Sequence, residues 1–563
     1  SGNDSGVARY EFAARDEGFA TFALSYSDGP PVLDVDVFDG VSRDDDSEGD
    51  LIFGPDTFLI TSKPAFPSFS RSSKAVGAAG ITADPIGTQL AGRSFELHLT
   101  AYGSSSSGQS CGLVDSYTGQ KSLRFWVDHQ DPIRAPLVPT IEGRRIAASE
   151  DVADLQNVRF EQGRAVVVAH YKDVGRLAIG VLDDTVPKAP IRGSTGGFVS
   201  RPADLRVTRV ESSTGEPNPA VGTPDGPVFA RAGEAFRVRV EARDAEGSRT
   251  PSFGRESRPE RIRIESTALV APAGGRNGIA DDGSLSNATD FVAIAPAGTF
   301  EGSTFAFDEV GAIRLRARVA DDDYLGTGPL LGTASGTVGR FAPSRFEIAI
   351  NTPRLGTTCA IGAFTWLGQP FGYVPGEEPV ITVTAVNAAG GRTANYAGDW
   401  WRLTNGSLGP RRYATNGVPV DTSRLPDPSA DPVIVPNGDG TGVLTFSAGS
   451  GLVLERTNPV APFDAEIELA VDVRDLDDIA YPLNPATIGG TAVGAGIDFD
   501  VSNRFQLGRV RVDNAFGSDL VALPMSLRTQ RFDGTAFVDE DADSCTRIPV
   551  AALDLSPAPS GLS

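Results

Sequence analysis

Three times along this chain a proline is followed at once by an apolar–polar–apolar strand start. The fullest copy is Gly339-Arg340-Phe341-Ala342-Pro343-Ser344-Arg345-Phe346-Glu347-Ile348. Gly54-Pro55-Asp56-Thr57-Phe58-Leu59-Ile60 and Arg201-Pro202-Ala203-Asp204-Leu205-Arg206-Val207 repeat it in altered form. Proline carries no N–H, so it suits the first residue of a strand, where no ladder donor is missed. The copies stand roughly 140–150 residues apart, the span of one domain. The chain is therefore read as one unit built three times.

Each unit is written in short alternating runs. Phe236, Val238, Val240 and Ala242 interleave with Arg237, Arg239, Glu241 and Arg243, and Ile262 and Ile264 interleave with Arg261, Arg263 and Glu265. Period-two alternation places apolar groups on one face of a half-buried antiparallel sheet. Val380 to Ala385 and Ile467 to Val473 follow the same rule, and Asn437-Gly438-Asp439-Gly440 reads as a hairpin turn. The 64 glycines and 40 prolines punctuate these runs without a collagen period. About seven short strands per unit predict all-β, tandem immunoglobulin-like sandwiches forming an extended rod. The expected boundaries are 51–195, 196–337 and 338–480. Residues 1–50 read as the closing strands of a preceding, truncated β module, and 481–563 as a smaller, distinct β module containing Phe505 to Val512. Helix is expected to be scarce, with Glu150 to Gln156 the best short helical turn.

Charge narrows the partners. Asp and Glu total 73 against 50 Lys and Arg, a net charge of −23. An acidic chain repels phosphate backbones, which sets nucleic acid aside. No apolar run approaches the ~18 residues of a membrane span. The three cysteines, Cys111, Cys359 and Cys545, form no CxxC pair. The three histidines, His98, His129 and His170, show no convergent spacing for zinc, and no GxSxG-type nucleophile setting is present. No enzyme activity is expected.

Acidic clusters follow the closing strands: Asp44-Asp45-Asp46 with Glu48 and Asp50, then Asp183-Asp184, Asp321-Asp322-Asp323, and Asp475 with Asp477-Asp478. Calcium takes six to eight hard oxygens, so these clusters are candidate Ca2+ sites at the module junctions. The competing reading is that Asp simply favours exposed turns. Among the tryptophans, Trp126 and Trp366 are assigned to cores. Asp399-Trp400-Trp401 differs. If it is a strand, adjacent side chains face opposite ways and one of Trp400 and Trp401 faces a ligand.

The segment Gly508-Arg509-Val510-Arg511-Val512-Asp513-Asn514-Ala515-Phe516-Gly517-Ser518, then Leu523-Pro524-Met525, Phe537-Val538 and Asp543-Ser544-Cys545-Thr546, resembles the C-terminal region of MshQ-type proteins. These belong to the biogenesis cluster of the mannose-sensitive haemagglutinin pilus, a type IV pilus. Upstream, Gly339-Arg340-Phe341, Cys359, Phe364 to Phe371 and Asn395-Tyr396-Ala397-Gly398 fit the same family. Arg531-Phe532 and Asp539 depart from its pattern. The resemblance implies an extracellular protein of the bacterial cell surface, at or near a pilus tip. Its partners would be pilus subunits, another surface protein, or glycans. Cys359 and Cys545 both lie inside the resemblance, one per module, and are assigned to a disulfide in an oxidising compartment; two separate buried thiols are the alternative.

The expected function is a non-catalytic pilus-associated adhesin or adhesin stalk that mediates attachment to cells or surfaces. Two alternatives are a structural subunit of an extracellular filament or surface layer, self-associating through the N-terminal hairpin, and an accessory or carbohydrate-binding region of a larger secreted enzyme.

Overall fold

The computed structural model describes residues 9–13, 16–17, 19–20, 32–33, 38, 51–52, 55, 57–64, 68–69, 85–104, 111–186, 189–279, 282–408, 411–415, 417–421, 423, 433–446, 451–456, 458–488, 503–518 and 520–552. Among these the chain is all-β, and helix is confined to single 3-10 turns such as Glu150–Val152 and Gly398–Trp400. Most of the acidic N-terminal segment, including Asp44 to Asp46, Glu48 and Asp50, lies outside the described residues; Val32–Leu33 pairs antiparallel with Leu51–Ile52.

The second sandwich shows the plan most plainly. One sheet runs in the order Asp204–Ser212, Ala235–Arg243, Thr299–Ala306, Val292–Ile294. The other runs Ala230–Arg231, Thr337–Ala342, Gly311–Val319, Ile262–Ala271. In immunoglobulin lettering this is A-B-E-D over A′-G-F-C, the constant-type order with a short A′ strand. The alternation dictates it. Phe236, Val238, Val240 and Ala242 are fully buried, and they pack with Ile262, Ile264, Ile313 and Leu315 from the facing sheet. The intervening arginines and glutamate point out and pair across strands, as Arg239 does with Glu301 at 2.7 Å.

The same pairings recur on both sides. In the first sandwich Thr57–Thr61 pairs with Ser94–Ser104, which pairs with Arg164–His170. The closing strand Phe198–Arg201 runs antiparallel to Gly175–Asp183 and parallel to Gln89–Leu90. In the third, Arg345–Ile350 pairs with Val380–Val386 and that with Thr441–Thr445, while Asn503–Gln506 runs antiparallel to Phe463–Ala465 and parallel to Phe364–Trp366. The first sandwich differs in one respect: Ile191–Ser194 runs parallel to Thr57–Thr61 and makes its two sheets continuous. A last module follows, a three-stranded antiparallel sheet of Gly508–Val512, Leu527–Phe532 and Phe537–Asp539.

The strand pairing moves the expected boundaries. Thr337–Ala342, read as the start of the third unit, is the last strand of the second. Phe341 is fully buried there against Phe229, Phe236 and Phe307, with ring centroids 5.0–5.7 Å away. Phe198–Arg201 likewise closes the first sandwich. Pro202 and Pro343 stand where the chain leaves one sheet for the next, since a residue without an N–H interrupts the ladder. Asn503–Gln506, assigned by sequence to the end module, belongs to the third sandwich. Near Glu150 only Glu150–Val152 is helical, and Leu155–Phe160 is a strand on Gly119–Asp131.

Candidate functional site at the module joints

The two joints between sandwiches are built from the same parts. In the first, Asp173 sits in the corner before strand Gly175–Asp183 and is fully buried. One carboxylate oxygen accepts the backbone N–H of Ser252, in the next sandwich, at 2.9 Å, and that of Val174 at 3.0 Å; the other accepts the Ser252 hydroxyl at 2.7 Å. In the second joint Glu309 holds the equivalent corner. It accepts the N–H groups of Ala394 and Asn395, both at 3.1 Å, and of Val310 at 3.3 Å. Asn395 returns the grip by donating to the Val310 and Arg276 carbonyls at 2.9 and 2.8 Å.

A backbone clasp accompanies each acid. Ala245 N–H donates to Ala91 O at 2.8 Å in the first joint, and Ala388 N–H to Ala232 O at 2.9 Å in the second. The corner turns on a glycine each time. Gly175 has φ +126° and Gly311 φ +135°, and a Cβ there would lie 2.3 Å from Asp131 O or 2.1 Å from Ala271 O. Only glycine takes that conformation and that proximity. Burial raises the pKa of both Asp173 and Glu309, against the donors that favour their ionised forms. Alanine at Asp173 would orphan the Ser252 and Val174 N–H groups, an expected cost of about 1–3 kcal/mol. Asp173→Asn keeps an acceptor and removes the buried charge, so denaturant titration is expected to show the smaller loss for asparagine.

Two of the acidic turns, Asp321–Asp323 and Asp475–Asp478, stand at these joints, while Asp183-Asp184 ends the strand Gly175–Asp183 and meets partners of the first sandwich alone; in all three the carboxylates are committed to protein donors. Asp477 takes Arg340, from the last strand of the second sandwich, in a bidentate pair at 2.8 and 2.6 Å. Both side chains are buried, at 3% and 7% exposure, and Arg402 stands 3.2 Å from the same carboxylate. Asp475 accepts the Tyr396 hydroxyl at 2.8 Å and the N–H groups of Asp477 and Ile479; Asp478 pairs with Arg474. In the second sandwich Asp323 accepts the Gly326 and Gly328 N–H groups, Asp321 that of Asp323, and Asp322 pairs with Arg318. Arg176 and Arg201 of the first sandwich donate to carbonyls of this turn, at Leu325, Thr327 and Pro329. Asp183 holds the Tyr117 hydroxyl and Thr185, and Asp184 holds Arg124 at 2.9 Å. Among the described residues, the group of three potential metal ligands that comes together is Cys359, Asp543 and Cys545, and its two sulfurs are joined in a disulfide. The structure thus does not gather the carboxylates of any described junction into a calcium cage.

A cleft of about 600 Å3 lies at the first joint, lined by Asp131, Ser257, Glu260, Asp321, Asp323 and Leu325. Burial, then Glu256 and Asp321, push the Glu260 carboxyl up to about 7. A raised folded-state pKa stabilises the fold fully below the unfolded value near 4.5 and loses that contribution as pH rises through 7. Glu260→Gln is therefore expected to raise the melting temperature at pH 8 more than at pH 5, in melts taken across that range.

The disulfide Cys359–Cys545 joins positions 186 residues apart, with Cα atoms 4.8 Å apart. It ties the end module to the third sandwich, beside the Arg456 guanidinium that donates to Gly508 O at 2.7 Å. Cys111 opens the short strand Cys111–Leu113. The histidines are not brought together: His98 stands near Glu96, His170 near Glu246, and His129 beside Tyr171. Trp400 and Trp401 correct the strand reading. They fall in and just after the 3-10 turn Gly398–Trp400, which turns both rings toward the protein. Trp400 is 5% exposed. Trp401 is partly buried, lies 5.1 Å from Tyr396 and over Gly442, and donates its indole N–H to Leu403 O at 2.7 Å.

Of the latch residues, Arg340 and Asn395 enter the sequence analysis only through the repeated opener and the family resemblance, and Asp173, Glu309 and Ser252 do not enter it at all. A signal existed. Asp173-Val174-Gly175 matches Glu309-Val310-Gly311. The receiving loop Asp244-Ala245-Glu246-Gly247-Ser248-Arg249-Thr250 matches Asn387-Ala388-Ala389-Gly390-Gly391-Arg392-Thr393.

Fold and joints define a chain of tandem immunoglobulin-like sandwiches closed by a small disulfide-tied β module. Family models match it in order: DUF6701, first Ig-like domain, over residues 71–194; the second domain over 201–299; the third over 309–495; and the fourth over 506–563. The chain belongs to the DUF6701 family, whose domains are described as of unknown function. No curated protein matches it. The third-domain match starts ahead of Gly311–Val319 and Thr337–Ala342, strands that hydrogen bonding assigns to the second sandwich. No helix among the described residues is long and apolar enough to cross a membrane.

Proposed function

We propose that this chain is the non-catalytic stalk of an extracellular bacterial surface protein, an adhesin or adhesin stalk of a type IV pilus system of the MshQ kind. The observation that carries the reading is the repetition of one buried latch at both joints. Domains that move freely are joined by exposed, polar linkers that few contacts cross. Here a buried acid, a backbone clasp and arginine contacts cross each joint, which suits a part that holds a binding end at a fixed distance. The disulfide suits an oxidising compartment, and the MshQ-like segment around Gly508 to Cys545 points to the pilus. The test is attachment. Bacteria whose surface protein lacks the three sandwiches, deleted in frame, are expected to lose adhesion to host cells and to surfaces while still assembling pili. Unchanged adhesion by the deletion strain contradicts the proposal.

A further inference from the structure

The two joints share their latch but not their charge. At the second, the acidic turn is neutralised: Asp477 lies between Arg340 and Arg402. At the first, the turn from Ala320 to Leu325 meets further acid. Glu256 and Glu260 stand on the segment that runs into strand Ile262–Ala271, and Glu260 shares the joint cleft with Asp321 and Asp323 of the turn and Asp131 of the first sandwich. Arg258 and Arg261 line the same cleft and are exposed. They do not offset the acids. Burial, then Glu256 and Asp321, still hold the Glu260 carboxyl up, although the Leu325 N–H favours its ionised form.

The two surfaces that meet at Glu260 are the ones the first sandwich grips. Asp131 accepts the Ser257 N–H at 2.6 Å and the Ser257 hydroxyl at 2.9 Å. Arg176 and Arg201 donate to carbonyls of the facing turn, at Leu325, Thr327 and Pro329. Glu256 is buried and fixed, accepting the Tyr324 hydroxyl at 3.2 Å and the Glu260 N–H at 3.4 Å. A charge on Glu260 therefore pushes one gripped surface from the other. A second titratable contact crosses this joint in the same sense. Glu246 takes the Lys172 ammonium at 2.6 Å, and His170 Nε2 stands 3.3 Å from it, so a proton on that ring adds to the attraction. In the second joint the matching positions are Ala389 for Glu246 and Ala306 for His170.

We propose that the first joint is a proton-operated hinge, which tightens as the pH falls through neutrality and slackens as it rises, and that the second joint responds less. Separating the gripped surfaces lets Glu260 release its proton, so proton uptake favours the closed joint. Because its folded-state pKa is raised, that contribution is complete in acid and is lost as pH rises through about 7. Burial raises the latch acids Asp173 and Glu309 alike, so they do not distinguish the joints. The Asp173 latch holds on both sides of the change; the sandwiches stay docked and the amplitude of the hinge alters. The inference does not rest on the adhesin reading, and attachment assays do not bear on it.

The test is the width of spin-label distance distributions at about pH 5 and about pH 8, on either side of the Glu260 titration, in the full chain with Cys111→Ser. Labels on the exposed Arg159 and Arg314 span the first joint, and labels on Arg314 and the exposed Arg412 span the second. The first-joint distribution is expected to be narrower at the lower pH, and the second-joint distribution to change less. Glu260→Gln, uncharged at both, is expected to keep the first joint narrow throughout. Asp321→Asn keeps an acceptor for the Asp323 N–H and removes a charge facing Glu260, so it is expected to move the change to lower pH. Melting curves at both pH values establish that each variant is folded. A first-joint width that ignores pH overturns the proposal. So does an equal response at the second joint, and so does a Glu260→Gln chain that keeps the parent's full response.

Discussion

Replacing Asp477 with alanine is expected to be among the most damaging single changes in the chain, at about 3–5 kcal/mol, because it strands a buried arginine. Arg340 is 3% exposed and sends both terminal nitrogens to this carboxylate. It belongs to the strand that closes the second sandwich, whereas Asp477 lies in an acidic turn of the third. The loss therefore falls on the joint as well as on either core. Denaturant unfolding of the variant is expected to separate into distinct transitions where the parent shows the two sandwiches unfolding together. Asp478 is the internal control. It lies one residue on, is 80% exposed and pairs directly with Arg474 at the surface, so Asp478→Asn, which keeps a side chain suited to the left-handed backbone there (φ +64°), is expected to leave the unfolding curve in place. Equal losses for the two variants would contradict the buried-pair account.

Cutting the disulfide is expected to have the other large effect. A bridge closing a loop of this length stabilises by roughly 3–5 kcal/mol through the unfolded chain it restrains. The end module is a three-stranded sheet with few buried groups of its own. Its remaining ties to the third sandwich include the Trp366 ring over Gly508, the Arg456 contact to Gly508 O, and Ile361 N–H on the Ser544 hydroxyl at 3.2 Å. Cys545→Ser, or reduction of the parent, is expected to leave the three sandwiches folded and to expose the segment after Leu507 to protease. Limited digestion with mass analysis checks this: cleavage confined beyond 507 is the expected outcome, and a fully resistant end module would show that noncovalent contacts suffice.

Alternation made the fold class legible. Phe236 to Arg243 needs no partner to declare which side is core, because period two follows from the backbone itself. The hairpin at Asn437 to Gly440 was legible for the same local reason, and it joins Ile434–Pro436 to Thr441–Thr445. What failed depends on distant partners. Thr337–Ala342 and Arg345–Ile350 run together in sequence with only Pro343 and Ser344 between them, and only hydrogen bonding to Gly311–Val319 shows which sheet the first one closes. The clustering of the aspartates suits either calcium or an exposed turn and is visible in sequence. Their true partners are not: Arg340 lies 137 residues before Asp477. The strand expectation for Trp400 and Trp401 fails because a single 3-10 turn carries no periodic signature. The latch itself was written in the chain twice, but a buried acid beside a glycine looks like any turn until the second copy is set beside the first.

The rigidity of the joints is the claim on which the stalk reading turns. Distances between spin labels placed on the exposed Arg159 of the first sandwich and Arg412 of the third, in a Cys111→Ser background, measure it most directly. The account predicts a single narrow distance distribution for the parent, broadened when Asp173 and Glu309 are both changed to alanine. A broad distribution in the parent, or one that the double change leaves untouched, would contradict it.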